Sequence, residues 1–443
     1  MQVIFEKKIN EFNKFINVDP DKSISIRAFL ISSISQGVSK VSNILPSEDV
    51  FSTINSLKKL NCKIIKISKN EYKIFGKGLG SFYTTKKTLL DLGNSGTGLR
   101  LISSIISTTP NMEVNLTGDK SLKKRNMSKL INLLNEFGAE TYPKDKVYLP
   151  LKLKSSDLPV GIKFVAGSSA QLKSAAILAG LNSFGTTTIF EKFKTRDHTE
   201  NMLKKNSKSI LLKNKGNIIK IFGKKTLNSL NIKIPSDPSS AAFFVAICIL
   251  NKKSELKIRN VCTNPKRLGF YNILKKHGAK IKILNKKKQN NESVGDLFIK
   301  SGRIKPLKTS ASHYLTATDE YPIMFIIAAL TKGISKFRNI GGLVEKETNR
   351  ILEMKKILKK VGVKCIATKN SMTIFGSSNF IKTKKQITID SLHDHRLAMA
   401  SSVLALCTGA KIIIKGFETV NTSSPSFLKI VKKLGGKYEI KKK

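Results

Sequence analysis

Residues 91–107 read DLGNSGTGLRLISSIIS, a run of glycine and small hydroxyl residues that passes without a break into an apolar segment. Gly93, Asn94, Ser95, Gly96 and Thr97 are poor formers of helix interior, whereas Leu99 to Ile106 have the makeup of a buried helix. The junction has two physical readings. Bare N–H groups at a helix start, with hydroxyls around them and Arg100 one turn in, form a socket for an anion. An N-cap behind a tight turn gives the same composition.

The junction recurs. DKSISIRAFLISSISQG at 21–37, SSAQLKSAAILAGLNSFG at 168–185, SDPSSAAFFVAICILNKK at 236–253, DEYPIMFIIAALTKG at 319–333 and DHRLAMASSVLALCTG at 394–409 share its form. Each opens on small, acidic or hydroxyl residues, runs on as largely apolar positions and closes near a glycine or a polar turn. Measured between Lys22, Asn94, Ser169, Asp237, Asp319 and Asp394, the intervals are 68 to 82 residues, so six units fill the chain. A β-branched strand follows each apolar run, as in MEVNLTG and AKIIIKGF, and then an amphipathic helix such as EDVFSTINSLKKLN or NRILEMKKILKKVG. Helices that are apolar nearly all round belong in the interior of a domain. Their N-termini, grouped three to a domain, would turn dipoles and N–H groups toward a small molecule with several negative charges.

The length of 443 residues favours two domains. No apolar run approaches the length of a membrane span, and the N-terminal MQVIFEKKINEFNKF lacks a signal-peptide core, which predicts a cytoplasmic chain. Five cysteines without CxxC spacing suggest neither a disulfide frame nor a zinc site. A formal charge of +50 raises nucleic-acid binding as an alternative. The lysines, however, are spread along the whole chain and no aromatic pattern interleaves with them. Only ten of the eighty basic residues are arginine, and a retained arginine marks a need for a forked donor to carboxylate or phosphate.

In order along the chain, DKSISIRA, LGNSGTGLRL, SSAQLKSAAILAGL with TRDHTE, DEYP, KETNR and DHRLAM resemble the 5-enolpyruvylshikimate-3-phosphate synthase family, its bacterial class II branch in particular. The resemblance covers essentially the full chain. It implies an α/β fold of two domains, each of three βαβαββ units around buried helices, the inside-out α/β barrel of enolpyruvyl transferases. The domains are expected at 21–232 and at 1–20 with 233–443, closing on ligands at a hinge that the chain crosses twice. The implied reaction moves the enolpyruvyl (1-carboxyvinyl) group of phosphoenolpyruvate to the 5-hydroxyl of shikimate 3-phosphate and releases phosphate, in the shikimate pathway to chorismate and aromatic amino acids. No metal or organic cofactor is implied, and the expected partners are the two anionic substrates. The resemblance fits a monomer with neither a specific nucleic acid nor a membrane as partner.

Matched motif by motif, the resemblance puts Lys22, Ser23, Arg27, Ser169, Ala170, Gln171, Arg196, Asp319 and Lys346 on shikimate 3-phosphate. It puts Lys22, Asn94, Gly96, Arg125, Gln171, Arg350 and Arg396 on phosphoenolpyruvate, Lys22 bridging both. Lys22, Asp319 and Glu347 are the catalytic candidates, because the reaction needs a base for the hydroxyl and an acid for the methylene carbon. Which group serves which transfer stays open. Three guanidiniums around one small anion repel one another without ligand, which predicts an open unliganded state. Asp49 reads either as a further polar contact or as an acid at a helix start, and His395 as a structural neighbour of Arg396.

The chain departs from the family pattern in places. Asp21 stands where a glycine is usual, Asn126 where a proline is, and Asn349 where an aspartate is, which puts the support of Arg350 in question. Thr422 occupies a place often held by lysine, and Gly96 leaves room for the inhibitor glyphosate. The sister transferase acting on UDP-N-acetylglucosamine is the alternative enzyme. It commonly uses a cysteine near SLKKRNM, and here no cysteine lies between Cys62 and Cys248.

Overall fold

The computed structural model describes residues 1–84, 88–206, 208–377 and 386–441. Six helices form the interior: α1 (Lys22–Ser33), α2 (Gly96–Ser107), α3 (Ala170–Leu181), α4 (Pro238–Leu250), α5 (Tyr321–Ala329) and α6 (His395–Thr408). Every residue of α5 and all but the last of α4 are buried, as their unbroken apolar sequences require. Burying a side chain such as Phe243, Phe244 or Phe325 contributes about 1.5–3 kcal/mol each, as an upper figure. The serines of α2 also lie inside. Ser103, Ser104 and Ser107 satisfy their hydroxyls by donating to carbonyls of their own helix, those of Leu99, Leu101 and Ser104, at 2.7–2.8 Å.

Side-chain caps open five of the six helices. Asp21, Ser95, Ser169, Asp237 and Asp394 accept from the backbone N–H of Ile24, Gly98, Leu172, Ser239 and Arg396, respectively, at 2.7–3.3 Å. The fifth start differs from the sequence reading. A separate helix at Ala311–Ala317 precedes it, and α5 begins after Glu320 with no side-chain cap.

The chain forms two compact units, one of Pro20–Ile234 with Lys288–Glu292, the other of Met1–Asp19, Pro235–Lys287 and Ser293–Lys443. The short segment Lys288–Glu292, at the tip of a hairpin, was not anticipated in the first of these. Among the described residues, six four-stranded sheets cover the helices. Around α2, Thr88–Asp91 pairs in parallel with Glu113–Thr117, and Leu151–Lys154 follows antiparallel with Glu140–Tyr142 outside it. All six sheets repeat this passage from a parallel pair to an antiparallel third strand.

Two sheets take their first strand from a distant part of the chain. Asn13–Ile16 precedes α1 but pairs with Glu255–Cys262, while Asn231–Lys233 precedes α4 but pairs with Gln36–Ser42. Each unit therefore completes one βαβ element with a strand from the far side of a chain crossing. In three of the six sheets the third strand carries Ile-Phe-Gly at or near its end, at 74–76, 221–223 and 374–376, a repeat absent from the sequence reading. A Cβ at Gly76, Gly223 or Gly376 would stand 2.1, 1.7 or 2.0 Å from the carbonyl oxygen of Ser35, Ser183 or Ala328. Only glycine lets the strand pass so close to the end of the buried helix.

Among the described residues no helix is long and apolar enough to cross a membrane. All five cysteines are free thiols.

Candidate functional site

In the unit of Pro20–Ile234 the candidate residues gather at the N-terminal turns of α1, α2 and α3. Lys22 is the first residue of α1, and its ammonium lies 2.8 Å from Asp49, an acid in the first turn of the helix Glu48–Lys59. Asp49 is thus an acid at a helix start that also pairs with Lys22. Ser23 follows, half-buried, and its carbonyl accepts from Arg27 Nη1 at 3.1 Å. Arg27 is buried: Nε donates to Thr199 Oγ1 at 2.9 Å and Nη2 to Ser174 Oγ at 3.0 Å. Three helices thus fix one guanidinium.

At α2 the cap of the opening junction is seen directly. Ser95 is the cap, yet two arginines converge on the turn it caps. Arg100 Nη1 donates to the Gly96 carbonyl at 3.0 Å, and Arg125 Nη2 donates to Asn94 Oδ1. Asn94 in turn donates to Asp119 Oδ2 at 2.8 Å. A Cβ on Gly96 would sit 2.8 Å from Arg125 Nη1 and 2.9 Å from Arg100 Nη1, so the missing side chain makes room for both guanidiniums. Thr97 Oγ1 accepts from Gln171 Nε2 at 2.8 Å, tying α2 to the half-exposed first turn of α3, where Ser169 and Ala170 lie. Arg196 is half-buried on the segment leading to the helix His198–Asn206.

In the other unit, one guanidinium collects three carboxylates. Arg350, 1% exposed, donates Nε to Asp394 Oδ2 at 2.8 Å, and Nη2 to Asp394 Oδ1 at 3.1 Å and to Glu347 Oε2 at 2.6 Å. Asp319 Oδ1 lies 3.8 Å from Nη1. Burial by itself would disfavour the charge, and Asp394 and Glu347 outweigh it, so the guanidinium is held above its ordinary pKa. The repulsion expected among unliganded arginines is therefore already answered at Arg350 by its own carboxylates. Asn349 caps the helix Arg350–Lys360 by accepting from Leu352 N at 3.1 Å, and the support of Arg350 comes from Asp394 instead. Lys346 is half-buried beside Glu347.

Arg396 is buried at the start of α6, with Nη1 donating to the Ser239 carbonyl at 3.3 Å and the guanidinium 5.8 Å over the Phe243 ring. Arg125 Nε, Arg350 Nη1 and Arg396 Nε are buried and have no hydrogen-bond partner among the described residues. Unmet donors of this kind are costly, and an anion is the kind of ligand that supplies acceptors to a guanidinium. His395 is buried next to Arg396. Thr422 donates to the Thr419 carbonyl at 2.8 Å within its own turn.

The sequence reading did not assign Asp394, Asp119, Ser174 or Thr199, which hold the arginines and Asn94 in place. Asp394 had a signal: it stands next to His395 and Arg396 at a helix start, where a carboxylate both caps and pairs.

The family model for EPSP synthase (3-phosphoshikimate 1-carboxyvinyltransferase) matches residues 6–431. A 3-phosphoshikimate 1-carboxyvinyltransferase of Petrotoga mobilis is 37% identical over 424 residues, covering 95% of this chain and 97% of that one. One of Paramagnetospirillum magneticum is 34% identical, covering 95% and 94%. The solved EPSP synthase of Acinetobacter baumannii superposes with a TM-score of 0.86 at 32% identity over 100% of both chains. The enolpyruvyl transferase NikO of Streptomyces tendae shares the fold, with a TM-score of 0.74 at 12% identity over 99% of this chain and 98% of that one. By sequence over nearly its whole length, and by fold, the chain belongs to the EPSP synthase family.

Proposed function

We propose that the chain transfers the 1-carboxyvinyl group of phosphoenolpyruvate to the 5-hydroxyl of shikimate 3-phosphate, releasing phosphate, and that it does so as a cytoplasmic monomer. The observation that carries this reading is the cluster on Arg350, which joins an anion-binding guanidinium to two half-buried carboxylates, Asp319 and Glu347. Anion binding and proton transfer are the two demands of this reaction.

In this reading Lys22, Ser23, Arg27, Ser169, Ala170, Gln171, Arg196, Asp319 and Lys346 hold shikimate 3-phosphate. Lys22, Asn94, Gly96, Arg125, Gln171, Arg350 and Arg396 hold phosphoenolpyruvate. The 5-hydroxyl oxygen bonds to C2 of phosphoenolpyruvate while its proton leaves to a base and the methylene carbon gains one from an acid. The resulting tetrahedral adduct loses phosphate when the C2–O bond to the phosphate breaks and the methyl group returns a proton, which restores the C=C bond and leaves the product as a vinyl ether. Lys22, Asp319 and Glu347 carry these protons. The cationic groups stabilise charge that grows on the carboxylate and on the departing phosphate.

The test is identification of the product. Purified protein given phosphoenolpyruvate with shikimate 3-phosphate, or with UDP-N-acetylglucosamine, is analysed by mass spectrometry for the carboxyvinyl ether. The expected result is ether on shikimate 3-phosphate only; ether on the nucleotide sugar would overturn the reading.

A further inference from the structure

The interior of the first unit holds a charged cluster that no step of the reaction uses. Lys173 lies on α3 with a side chain 0% exposed, and its Nζ is 2.6 Å from Glu191 Oε1 and 2.7 Å from Glu200 Oε1. Glu191 ends the strand Thr186–Glu191, and Glu200 sits in the first turn of the helix His198–Asn206. The segment between them carries Arg196, so both its ends are anchored to one ammonium. Thr195, next to Arg196, donates both its N–H and its Oγ1 to Glu191 Oε1 at 2.8 Å, and its carbonyl lies 3.5 Å from Lys173 Nζ.

Chain neighbours extend the pattern. Ser174 follows Lys173 and accepts from Arg27 Nη2, while Thr199 precedes Glu200 and accepts from Arg27 Nε. Thr199 Oγ1 also donates to Ser174 Oγ at 2.9 Å. Lys173 and Glu200 thus stand beside the residues that fix Arg27, and Glu191 holds Thr195, the chain neighbour of Arg196.

A buried triad of this kind is a poor way to gain stability, because well-packed apolar side chains of similar volume do as well or better. Its use lies in fixing a register between elements, and here those elements carry two guanidiniums.

We propose that Lys173 is a positioning residue: its buried bonds to Glu191 and Glu200 set the places of Arg27 and Arg196, and so the affinity for shikimate 3-phosphate. The inference rests on the assignment of those two arginines to that substrate.

The experiment compares Lys173→Met, Glu191→Gln, Thr195→Val, Arg196→Ala and the Glu191→Gln/Arg196→Ala double variant. For each, direct titration gives the Kd of shikimate 3-phosphate, kinetics give the KM of both substrates, and thermal unfolding checks the fold. Glu191→Gln is expected to weaken shikimate 3-phosphate about 10- to 100-fold, the range typical of lost outer-shell support, with the KM of phosphoenolpyruvate unchanged. Thr195→Val, which keeps shape and packing, is expected to give a smaller change of the same selectivity even if Lys173→Met fails to fold. The double variant is expected to lose less than the product of the two single losses, since both act through Arg196. Folded Glu191→Gln and Thr195→Val with wild-type affinity, beside an Arg196→Ala that binds weakly, would overturn the positioning role alone. An Arg196→Ala with wild-type affinity would overturn the substrate assignment, and the inference with it.

Discussion

Arg350 and Asp394 meet side-on, Nε to Oδ2 at 2.8 Å and Nη2 to Oδ1 at 3.1 Å, while Asp394 Oδ1 also accepts the backbone N–H of Arg396 at 2.9 Å. One carboxylate therefore orients a guanidinium and caps the helix that presents a second one. Both arginines belong to the proposed phosphoenolpyruvate set.

Asp394→Asn keeps an oxygen for the cap and removes the charge facing Arg350. Charge-assisted bonds of this kind contribute about 1.5–3 kcal/mol each. The variant is expected to lose about 100-fold in kcat/KM for phosphoenolpyruvate, read by initial rates at saturating shikimate 3-phosphate. Rates within twofold of wild type would show that Asp394 serves the helix alone.

At Gly96 the prediction concerns space. An added Cβ meets Arg125 Nη1 at 2.8 Å and Arg100 Nη1 at 2.9 Å, and flexible guanidiniums yield by moving. Gly96→Ala should leave the thermal midpoint nearly unchanged and raise the KM of phosphoenolpyruvate by about 10- to 100-fold, the cost of a displacement near 1 Å. The KM of shikimate 3-phosphate serves as the internal control.

The Lys173 cluster predicts an acid dependence of stability. Burial would push the Glu191 carboxyl up, but Lys173 and the bonds from Thr195 prevail and hold it below its ordinary value. A depressed carboxylate adds stability above its unfolded-state pKa and loses it as pH falls through the folded value. Urea midpoints measured from about pH 7 down to about pH 3 should therefore fall less steeply for Glu191→Gln than for wild type. At neutral pH the same variant should be less stable by about 1.5–3 kcal/mol, because it loses a charge-assisted bond while Glu200 still pairs with Lys173.

The repeated glycines predict a purely structural effect. Gly223→Ala forces a Cβ to 1.7 Å from the Ser183 carbonyl oxygen, so backbone must shift, at a cost of about 3 kcal/mol or more. At Gly167 a Cβ meets nothing within 4 Å, and Gly167→Ala should be neutral or gain about 0.4–1 kcal/mol. Chemical denaturation of the two variants distinguishes crowding from a general effect of replacing glycine.

What the sequence revealed was local. Six buried helices were legible because a long apolar run has few places to go, and because their capping residues recur at similar intervals. The fifth start was misread since Ala311–Ala317 is seven residues long, too short to show a period. Pairings across the chain left no mark: Asn13–Ile16 looks like any short strand, and nothing in it names Glu255–Cys262 as its partner. The same holds at the site. Arg350 and Asp319 could be matched from their motifs, but Lys22 is one of seventy lysines and its partner Asp49 stands 27 residues away. Lys173 carries a signal of its own, as a lone charge in the apolar run AQLKSAAILAGL. The glycine of Ile-Phe-Gly was legible too, as a repeat in the chain.

Release of inorganic phosphate by the purified protein tests the central claim most directly, with both substrates, with each alone, and with Lys22→Ala in parallel. The account predicts release that requires phosphoenolpyruvate and shikimate 3-phosphate together and falls by at least about 1,000-fold in the variant, since Lys22 is assigned to both binding and proton transfer. A folded wild-type protein that releases none, or a Lys22→Ala variant that turns over like wild type, would contradict it.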